Sequence, residues 1–283
     1  MRNTKNSSGN SRSDRMYLAD YHLHSRWSMD ARYPMAEMVR AAVSAGLDEV
    51  CFTDHVEILS SGSDARNTFD WAALEQEYAS ALAAADGRIA VRLGVEFGEA
   101  PRDLSYSEQL LREMPPLDFI IGSQHQLSGR FGNEDLYFAS TGDPVLSQAQ
   151  IRDYLEMVLR LAKWGKFSVL GHLTLPLRYM NENHGLHMSF DGLEAEVEEI
   201  FRALIANGCG IEVNTNRGHA PLPGEKWLKL YRRCGGTLVT LGSDAHSPDF
   251  VGCCIAEGQA LLKACGFREF ATFSQMRPVF HEL

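Results

Sequence analysis

The sequence has no long apolar run and no excess of positive charge. No stretch reaches the roughly 20 consecutive apolar residues of a transmembrane helix, so we expect no membrane span. The chain has 27 lysines and arginines against 37 aspartates and glutamates, a formal net charge of −10 at pH 7. This balance disfavours nucleic acid and anionic membranes as partners. It is compatible with a phosphorylated substrate, because a metal site would supply local positive charge.

The sequence also lacks a CxxC pair among its six cysteines. Several of these cysteines lie in strand-like or helix-like segments, so we expect reduced, buried thiols in a cytoplasmic protein rather than a disulfide framework. The first fifteen residues contain no apolar segment and are rich in Ser, Asn, Arg and Lys. We expect residues 1–15 to be a disordered tail or an extension rather than a transit peptide, and residues 16–283 to form the domain.

Strand-like and helix-like segments alternate seven times along that domain. The predicted strands cover residues 17–24, 49–53, 90–97, 118–123, 168–171, 210–214 and 237–242. Six predicted return helices begin near residues 34, 71, 105, 192, 225 and 249, and an apolar segment covers residues 267–273. A long loop over residues 127–144 precedes one more helix, which has these residues on one face: Ile151, Tyr154, Leu155, Val158 and Leu159. In the first helix, five apolar residues share one face and Gly46 follows the last of them: Met35, Met38, Val39, Ala42 and Val43.

The positions of polar residues distinguish between two folds built from such repeats, a closed parallel barrel and an open doubly wound sheet. In a barrel the C-terminal ends of the strands converge on one face, where the active sites of this architecture lie. An open sheet would spread the same residues along a wide edge. The sequence favours a single-domain (β/α)7 barrel, because seven polar residues lie at or near strand ends: His24, His55, Glu96, His125, His172, Asn214 and Asp244.

Histidines and carboxylates gathered at strand ends indicate a metal site, since both are ligands of borderline divalent metals. His22 and His24 are two residues apart in a strand, so their imidazoles point to the same side. Glu96 lies between Val95 and Phe97, where an ionisable side chain is costly to bury without a partner. Each residue alone could equally be a metal ligand or a polar side chain that is hydrogen-bonded within the protein. The whole set favours a metal-dependent hydrolase.

Together these motifs resemble the PHP (polymerase and histidinol phosphatase) superfamily, and most of all its stand-alone histidinol-phosphate phosphatase branch. The similarity runs from about residue 17 to the C-terminus, with the motifs in the family's order. The matching segments are residues 20–24 (DYHLH), 52–55 (FTDH), 94–96 (GVE), 121–125 (IGSQH), 170–173 (LGHL), 211–215 (IEVNT) and 242–248 (GSDAHSP).

The resemblance implies a distorted (β/α)7 TIM-like barrel with two to three divalent transition-metal ions, and the ligand types accept zinc, manganese or iron. The first ion would be held by His22, His24, Glu96 and Asp244. Glu96 would bridge to a second ion, which also takes His125 and His172. The third would be held by Asp30, His55 and His246, with Asp30 standing where many members have histidine.

Two arginines follow predicted strands five and six, and arginine offers a bidentate fork to a phosphate. By resemblance, Arg178 and Arg217 would bind the substrate phosphate, and Arg178 would act in catalysis with Glu96, Asp244 and His246. The leading hypothesis is therefore a phosphomonoesterase that hydrolyses L-histidinol phosphate to L-histidinol and phosphate in histidine biosynthesis.

Two alternatives stay open at this point. The same site could act on another small phosphate ester, a nucleotide or a DNA end, although the acidic balance and the lack of a basic tail count against nucleic acid. A non-catalytic PHP-like module is the other alternative. Such a module would have lost ligands, whereas every predicted ligand position is filled in this sequence.

Overall fold

Seven parallel strands are hydrogen-bonded in their order along the chain in the computed structural model, which describes residues 15–58 and 70–283. Residues 1–14 of the predicted tail lie outside the described residues. The strands are β1 (Ala19–Leu23), β2 (Glu49–Glu57), β3 (Ala90–Gly98), β4 (Phe119–Ser123), β5 (Val169–Leu170), β6 (Gly210–Asn214) and β7 (Val239–Gly242).

The sheet closes on itself between β1 and the end of β7. The His24 amide donates to the Ala245 carbonyl oxygen at 2.9 Å, and the Asp244 amide donates to the His22 carbonyl oxygen at 2.9 Å. The barrel is distorted, because the β1–β2 register shifts between Asp20 and Leu23 and β5 has only two residues. The predicted seven-stranded barrel is confirmed, and the open sheet is excluded because its first and last strands would not bond.

Helices surround the barrel and return the chain from one strand to the next. They are α1 (Met35–Ala45), α2 (Trp71–Ala85), α3 (Leu104–Glu113), α4 (Leu136–Ala139), α5 (Pro144–Trp164), α6 (Leu175–Leu177), α7 (Glu194–Ala206), α8 (Glu225–Arg233) and α9 (Ile255–Ala264). Aspartates cap several N-termini: Asp103 accepts the Tyr106 amide at 3.0 Å, and Asp143 accepts the Val145 amide at 2.8 Å. A π-helical turn, Arg178–Asn183, follows α6.

Helix α1 shows how the apolar pattern builds the packing. Its predicted face buries Met35, Met38, Val39 and Ala42 completely, and Gly46 ends it in a left-handed conformation with φ of 76°. Each large buried side chain contributes about 1.5–3 kcal/mol relative to an exposed one. This face therefore attaches α1 firmly to the strands that carry the polar residues.

Strand β2 is longer than predicted, and helix α9 is shorter. Strand β2 continues to Glu57, because its whole length pairs with β3 as far as Gly98. The prediction ended at residue 53, where polar residues begin. Helix α9 starts at Ile255 rather than near residue 249, because Cys254 has a left-handed φ of 57° and interrupts the helical path.

The C-terminal apolar segment is one arm of an unpredicted antiparallel hairpin, formed by β8 (Glu269–Ser274) and β9 (Arg277–Glu282). Its two-residue turn places Gln275 and Met276 at φ of 51° and 61°. The Gln275 amide donates to Asp118, just before β4, so the hairpin attaches near the N-terminal ends of the strands. The predicted site residues lie at the opposite end of the barrel, at the C-terminal ends of the strands.

All six cysteines lie within the described residues and are free thiols. Cys51 is completely buried, and burial raises its pKa well above the usual value. Over the described ranges, no helix is both long enough and apolar enough to span a membrane.

Candidate metal and phosphate site

The C-terminal ends of the strands surround a cavity of about 530 Å³. His22 and His24 lie beneath its surface and are fully buried. The remaining predicted ligands and both predicted phosphate-binding arginines line it: Asp30, His55, Glu96, His125, His172, Arg178, Arg217, Asp244 and His246. The barrel thus brings together every residue singled out from the sequence for this site.

Glu96 lies at the centre of this cluster, buried in β3. Its Oε2 atom is 3.0 Å from His22 Nε2 and 3.4 Å from His24 Nε2. Its Oε1 atom is 3.0 Å from His125 Nε2 and 2.8 Å from His172 Nε2. Oε2 also lies 3.3 Å from His55 Nδ1. The two carboxylate oxygens therefore face different sets of histidines, which is the geometry that a bridging ligand between two ions requires.

Asp244 follows β7 and faces the first pair of histidines. Its Oδ1 atom lies 3.4 Å from His24 Nε2 and 3.7 Å from His22 Nε2. Asp244 has a left-handed φ of 59°, a conformation that costs a non-glycine residue of the order of 1 kcal/mol or more. The hydrogen bond from its amide to the His22 carbonyl oxygen holds that conformation in place.

A third group of side chains lies nearer the cavity mouth. Asp30 Oδ2 is 2.9 Å from His246 Nε2, and Asp30 Oδ1 is 3.7 Å from His55 Nε2. The His24 and His246 rings are stacked at 4.1 Å between centroids. The side chain of Asp30 is half exposed, so this group is more open to solvent than Glu96 and Asp244.

The donor atoms of these groups fit divalent metal ions. Four sets of three residues each place their nitrogen and oxygen atoms within 4.8 Å of one another: His22, His24 and Asp244; His22, Glu96 and His172; His24, His55 and His246; and His55, Glu57 and His125. His24 Nε2 and His55 Nδ1 are buried and form no hydrogen bond of good geometry, although each lies 3.1–3.4 Å from two carboxylate oxygens. A buried imidazole nitrogen without a partner is costly, and a metal ion would satisfy it.

The charges of the cluster are strongly coupled. Burial acts to lower the pKa of His22, but the carboxylates of Glu212 and Glu96 outweigh it and hold that pKa well above its usual value. Burial acts to raise the pKa of Glu96, yet His22 and His125 hold it well below the usual range. Burial and the charge of His246 lower the pKa of His24, so its nitrogen is kept neutral. A ligating imidazole is neutral, so a metal ion bound here would displace the proton of His22 while Glu96 stays ionised.

Glu212, on β6, was not assigned a role from the sequence although it belongs to a recognised motif. Its Oε1 atom is 2.6 Å from His22 Nδ1, and its Oε2 atom accepts the His172 amide at 2.8 Å. Glu212 therefore orients His22 so that Nε2 faces Glu96. The signal was available, since Glu212 lies between Ile211 and Val213 just as Glu96 lies between apolar residues.

Glu57 was missed because the predicted β2 ended too early. Its Oε1 atom is 2.9 Å from His125 Nδ1 and 3.1 Å from His55 Nδ1. Burial and the charge of Glu57 raise the pKa of the neighbouring Glu99 well above its usual value. Burial opposes ionisation of Glu57, but His125 holds its pKa well below the usual range. Glu57 is thus the ionised member of this pair and faces two predicted ligands.

A hydrogen-bonded chain supports His24 from the side away from the cavity. Ser28 Oγ lies 2.9 Å from His24 Nδ1 and donates to Asp54 Oδ1 at 2.7 Å. Asp54 also accepts the Ser25 amide at 2.6 Å. These bonds fix the ring of His24 with Nε2 pointing toward Glu96 and Asp244.

The two predicted phosphate-binding arginines reach the cavity differently. Arg178 begins the π-helical turn, and its Nη1 atom is 3.1 Å from Asp244 Oδ2. Arg217 has a left-handed φ of 51°, and its guanidinium carbon lies 5.7 Å from the centre of the Phe250 ring. Within the described ranges Arg217 has no carboxylate partner, so its charge is free to bind an anion.

The other histidines lie outside the cavity lining. His184, His187 and His219 are exposed. His281 stacks on Tyr17 with ring centroids 4.1 Å apart and lies 2.9 Å from the Thr272 hydroxyl, so it has a packing role.

The chain is similar to known proteins over most of its length. Residues 20–216 match the PHP domain family. The chain is 29% identical over 268 residues to the histidinol-phosphatase of Lactococcus lactis subsp. lactis (strain IL1403), covering 93% of this chain and 96% of that protein. It is 30% identical over 262 residues to a probable histidinol-phosphatase of Deinococcus radiodurans, covering 89% and 95%.

The fold is also similar to that of a solved structure. The crystal structure of histidinol phosphate phosphatase from Lactococcus lactis, complexed with zinc, L-histidinol and phosphate, matches with a TM-score of 0.77. The identity is 27%, and the match covers 93% of this chain and 98% of that one. The chain belongs to the PHP domain family.

Proposed function

We propose that this protein is a metal-dependent phosphomonoesterase that hydrolyses L-histidinol phosphate to L-histidinol and phosphate, a step of histidine biosynthesis. The observation that supports this most directly is the division of the two Glu96 oxygens between two separate sets of histidines, in a cavity that Arg178 and Arg217 also line. The names of the relatives, which cover nearly the whole chain, support the substrate.

The predicted ligand sets are the ones we propose for two to three divalent transition-metal ions. They are His22, His24, Glu96 and Asp244 for the first ion, Glu96, His125 and His172 for the second, and Asp30, His55 and His246 for the third. Zinc is supported by the Lactococcus structure, and the donor atoms also suit manganese and iron. When bound, such ions polarise phosphoryl oxygens and lower the pKa of water toward neutrality.

The remaining chemistry is assigned to side chains of this protein. Arg178 and Arg217 donate to the phosphoryl oxygens, neutralise the dianion and orient the phosphorus for in-line attack. Attack by water forms one P–O bond while the ester P–O bond breaks, and the alkoxide takes up a proton to leave as the alcohol. Glu96, Asp244 and His246 act from the cavity wall as ligands, and Glu212 and Glu57 hold histidines in orientation.

The other properties of the chain support a small substrate in a reducing compartment. A cavity of about 530 Å³ has the size of a small-molecule site. The net charge of −10 disfavours nucleic acid as a partner. Six free cysteines support the cytoplasm as the place of action.

The test is a substrate panel at defined metal content. Protein stripped with a chelator and then loaded with zinc, manganese or ferrous iron is assayed with L-histidinol phosphate, p-nitrophenyl phosphate, a nucleotide 3′-phosphate and an oligonucleotide. We expect activity only after loading and the highest kcat/KM for L-histidinol phosphate. No release of phosphate from L-histidinol phosphate with any metal would overturn the proposal, and cleavage of the oligonucleotide instead would favour the nuclease alternative.

A further inference from the structure

Asp135 is an acidic residue of the cavity that neither the proposed ligand sets nor the phosphate site uses. It caps α4, and its Oδ1 atom accepts the Tyr137 amide at 2.8 Å. The Leu136 amide donates to the His125 carbonyl oxygen at 2.8 Å. These two bonds hold Asp135 in the cavity lining, and Asp135 belongs to none of the four sets of potential metal ligands.

The Asp135 carboxylate lacks a cation. In the part of the chain that the structure describes, no arginine, lysine or histidine nitrogen lies within 4.0 Å of it, and Oδ2 has no donor. The other carboxylates of the cavity each lie within 4.0 Å of a histidine nitrogen: Asp30, Glu57, Glu96 and Asp244. A partly buried carboxylate without a partner is unfavourable, and a cationic group of a ligand would relieve this.

The wall beside Asp135 is aromatic. Tyr137 and Phe138 line the cavity and are 58% and 74% exposed, and Tyr137 meets Tyr179 edge to face at 5.6 Å. Burial raises the pKa of the Tyr179 hydroxyl to about 12, and the charges of Arg178 and Asp135 act on it in opposite directions. A cation at Arg178 and an anion at Asp135 therefore share one region of the cavity. Such a wall suits an organic cation with a ring, and its carboxylate would repel a second phosphate.

We propose that Asp135 is a specificity-determining residue that binds the protonated primary amine of the substrate, so that the enzyme selects phosphate esters of amino alcohols. The inference rests on the proposed function, because L-histidinol phosphate has such an amine near its ester. A peptide α-amino group has a pKa of about 7.7–8.0 and an imidazole about 6.5. The amine of an amino alcohol has no adjacent carbonyl and is more basic than a peptide α-amino group, so it is the main cation of the substrate at neutral pH.

The test removes the charge from the enzyme and the amine from the substrate in turn. Asp135→Asn retains the capping oxygen and the size of the side chain but not its charge. Wild type and variant are assayed with L-histidinol phosphate and with 3-(imidazol-4-yl)propyl phosphate, which lacks only the amine. We expect wild type to prefer the amine-bearing ester by about 10- to 100-fold in kcat/KM, the scale of a charge-assisted hydrogen bond, and the variant to lose most of that preference.

Asp143→Asn is the matched control, because Asp143 also caps a helix, α5, but lies outside the cavity lining. It should leave kcat/KM unchanged for both esters. Both variants should keep the metal content and circular dichroism of wild type. An equal loss on both esters in Asp135→Asn would show a structural role or a contact to the imidazole. A wild type without preference for the amine would also overturn the inference.

The outcomes separate the two proposals. Hydrolysis of L-histidinol phosphate with an unchanged preference in Asp135→Asn would contradict only the role of Asp135. Hydrolysis of p-nitrophenyl phosphate without any hydrolysis of L-histidinol phosphate would remove the proposed function, and the inference about Asp135 with it.

Discussion

Arg178 Nη1 lies 3.1 Å from Asp244 Oδ2, so a predicted phosphate-binding cation forms an ion pair with a predicted metal ligand. The two side chains are 13% and 10% exposed, and each is the other's ion-pair partner at the base of the cavity. A substrate phosphate would draw the guanidinium, while a metal ion would draw the carboxylate. The pair would therefore place the phosphate next to the proposed metal ligands, and removal of Arg178 should lower kcat/KM more than metal content.

Replacement of Arg178 tests that relationship. Arg178→Ala should lower kcat/KM for L-histidinol phosphate by about ten- to a thousand-fold, the scale of a charge-assisted contact of about 1.5–4 kcal/mol. Arg178→Lys should recover only part of it, because an ammonium lacks the bidentate fork. Metal content should stay unchanged in both. Arg152→Ala, at an exposed ion pair with Glu196, is the control, and an equal effect there would contradict the assignment.

Glu96 should be the most sensitive of the proposed ligands. Glu96→Gln keeps the shape but removes the charge that both histidine pairs face, so it should lower metal content and activity more than His172→Ala, which removes one terminal ligand. Elemental analysis and kcat/KM of the two variants measure this. Full metal content with near wild-type turnover in Glu96→Gln would show that Glu96 is only a buried, satisfied residue.

Glu212 should control metal affinity without contacting substrate. Loss of a carboxylate that orients a ligating histidine typically lowers metal affinity about 10- to 100-fold, and we expect this for Glu212→Ala. Glu212→Gln retains an acceptor oxygen for His22 Nδ1 and should recover part of the affinity. Competition with a chelator gives the affinity, and exposed Glu198→Ala is the control. Unchanged affinity in Glu212→Ala would refute this role.

The attachment of the C-terminal hairpin to the barrel can be tested by stability. The hydroxyl of Tyr21 accepts the Phe273 amide at 2.8 Å and lies 2.7 Å from Glu49 Oε1. Tyr21→Phe leaves the buried Phe273 amide without this acceptor, while Glu49 Oε1 keeps Arg92 as a donor at 2.6 Å. The variant should lower the free energy of unfolding by about 1–3 kcal/mol in urea titrations. Tyr33→Phe, at a partly exposed position, should be neutral. Equal stabilities of the two variants would argue against the contact.

The sequence predicted the barrel and the cluster because both depend on short-range patterns. Strands with period two put His22 and His24 on one side, and Glu96 was conspicuous among apolar neighbours. The six crossovers between the seven strands fit both a barrel and an open sheet, and the polar residues at the strand ends favoured closure of β1 on β7. The resemblance to the PHP superfamily singled out Arg178 and Arg217, which the barrel brings to one cavity.

The features that the sequence did not reveal depend on contacts between distant segments. Glu57 falls beyond the apolar part of β2, and only pairing with β3 keeps it in the strand. The hairpin of β8 and β9 turns at Gln275 and Met276, where no glycine or asparagine signals the positive φ angles. Asp135 lies in a long loop, and its lack of a cation appears only when the whole cavity is assembled.

The metal content of the purified protein tests the central claim most directly, because the ligand sets, the orienting carboxylates and the phosphate contacts all depend on it. Protein prepared without chelator, and again after loading with zinc, manganese or ferrous iron, is measured by elemental analysis against protein concentration. We expect two to three transition-metal ions per chain. Less than one ion per chain, with no gain on loading, would contradict the multinuclear site and the phosphatase activity built on it.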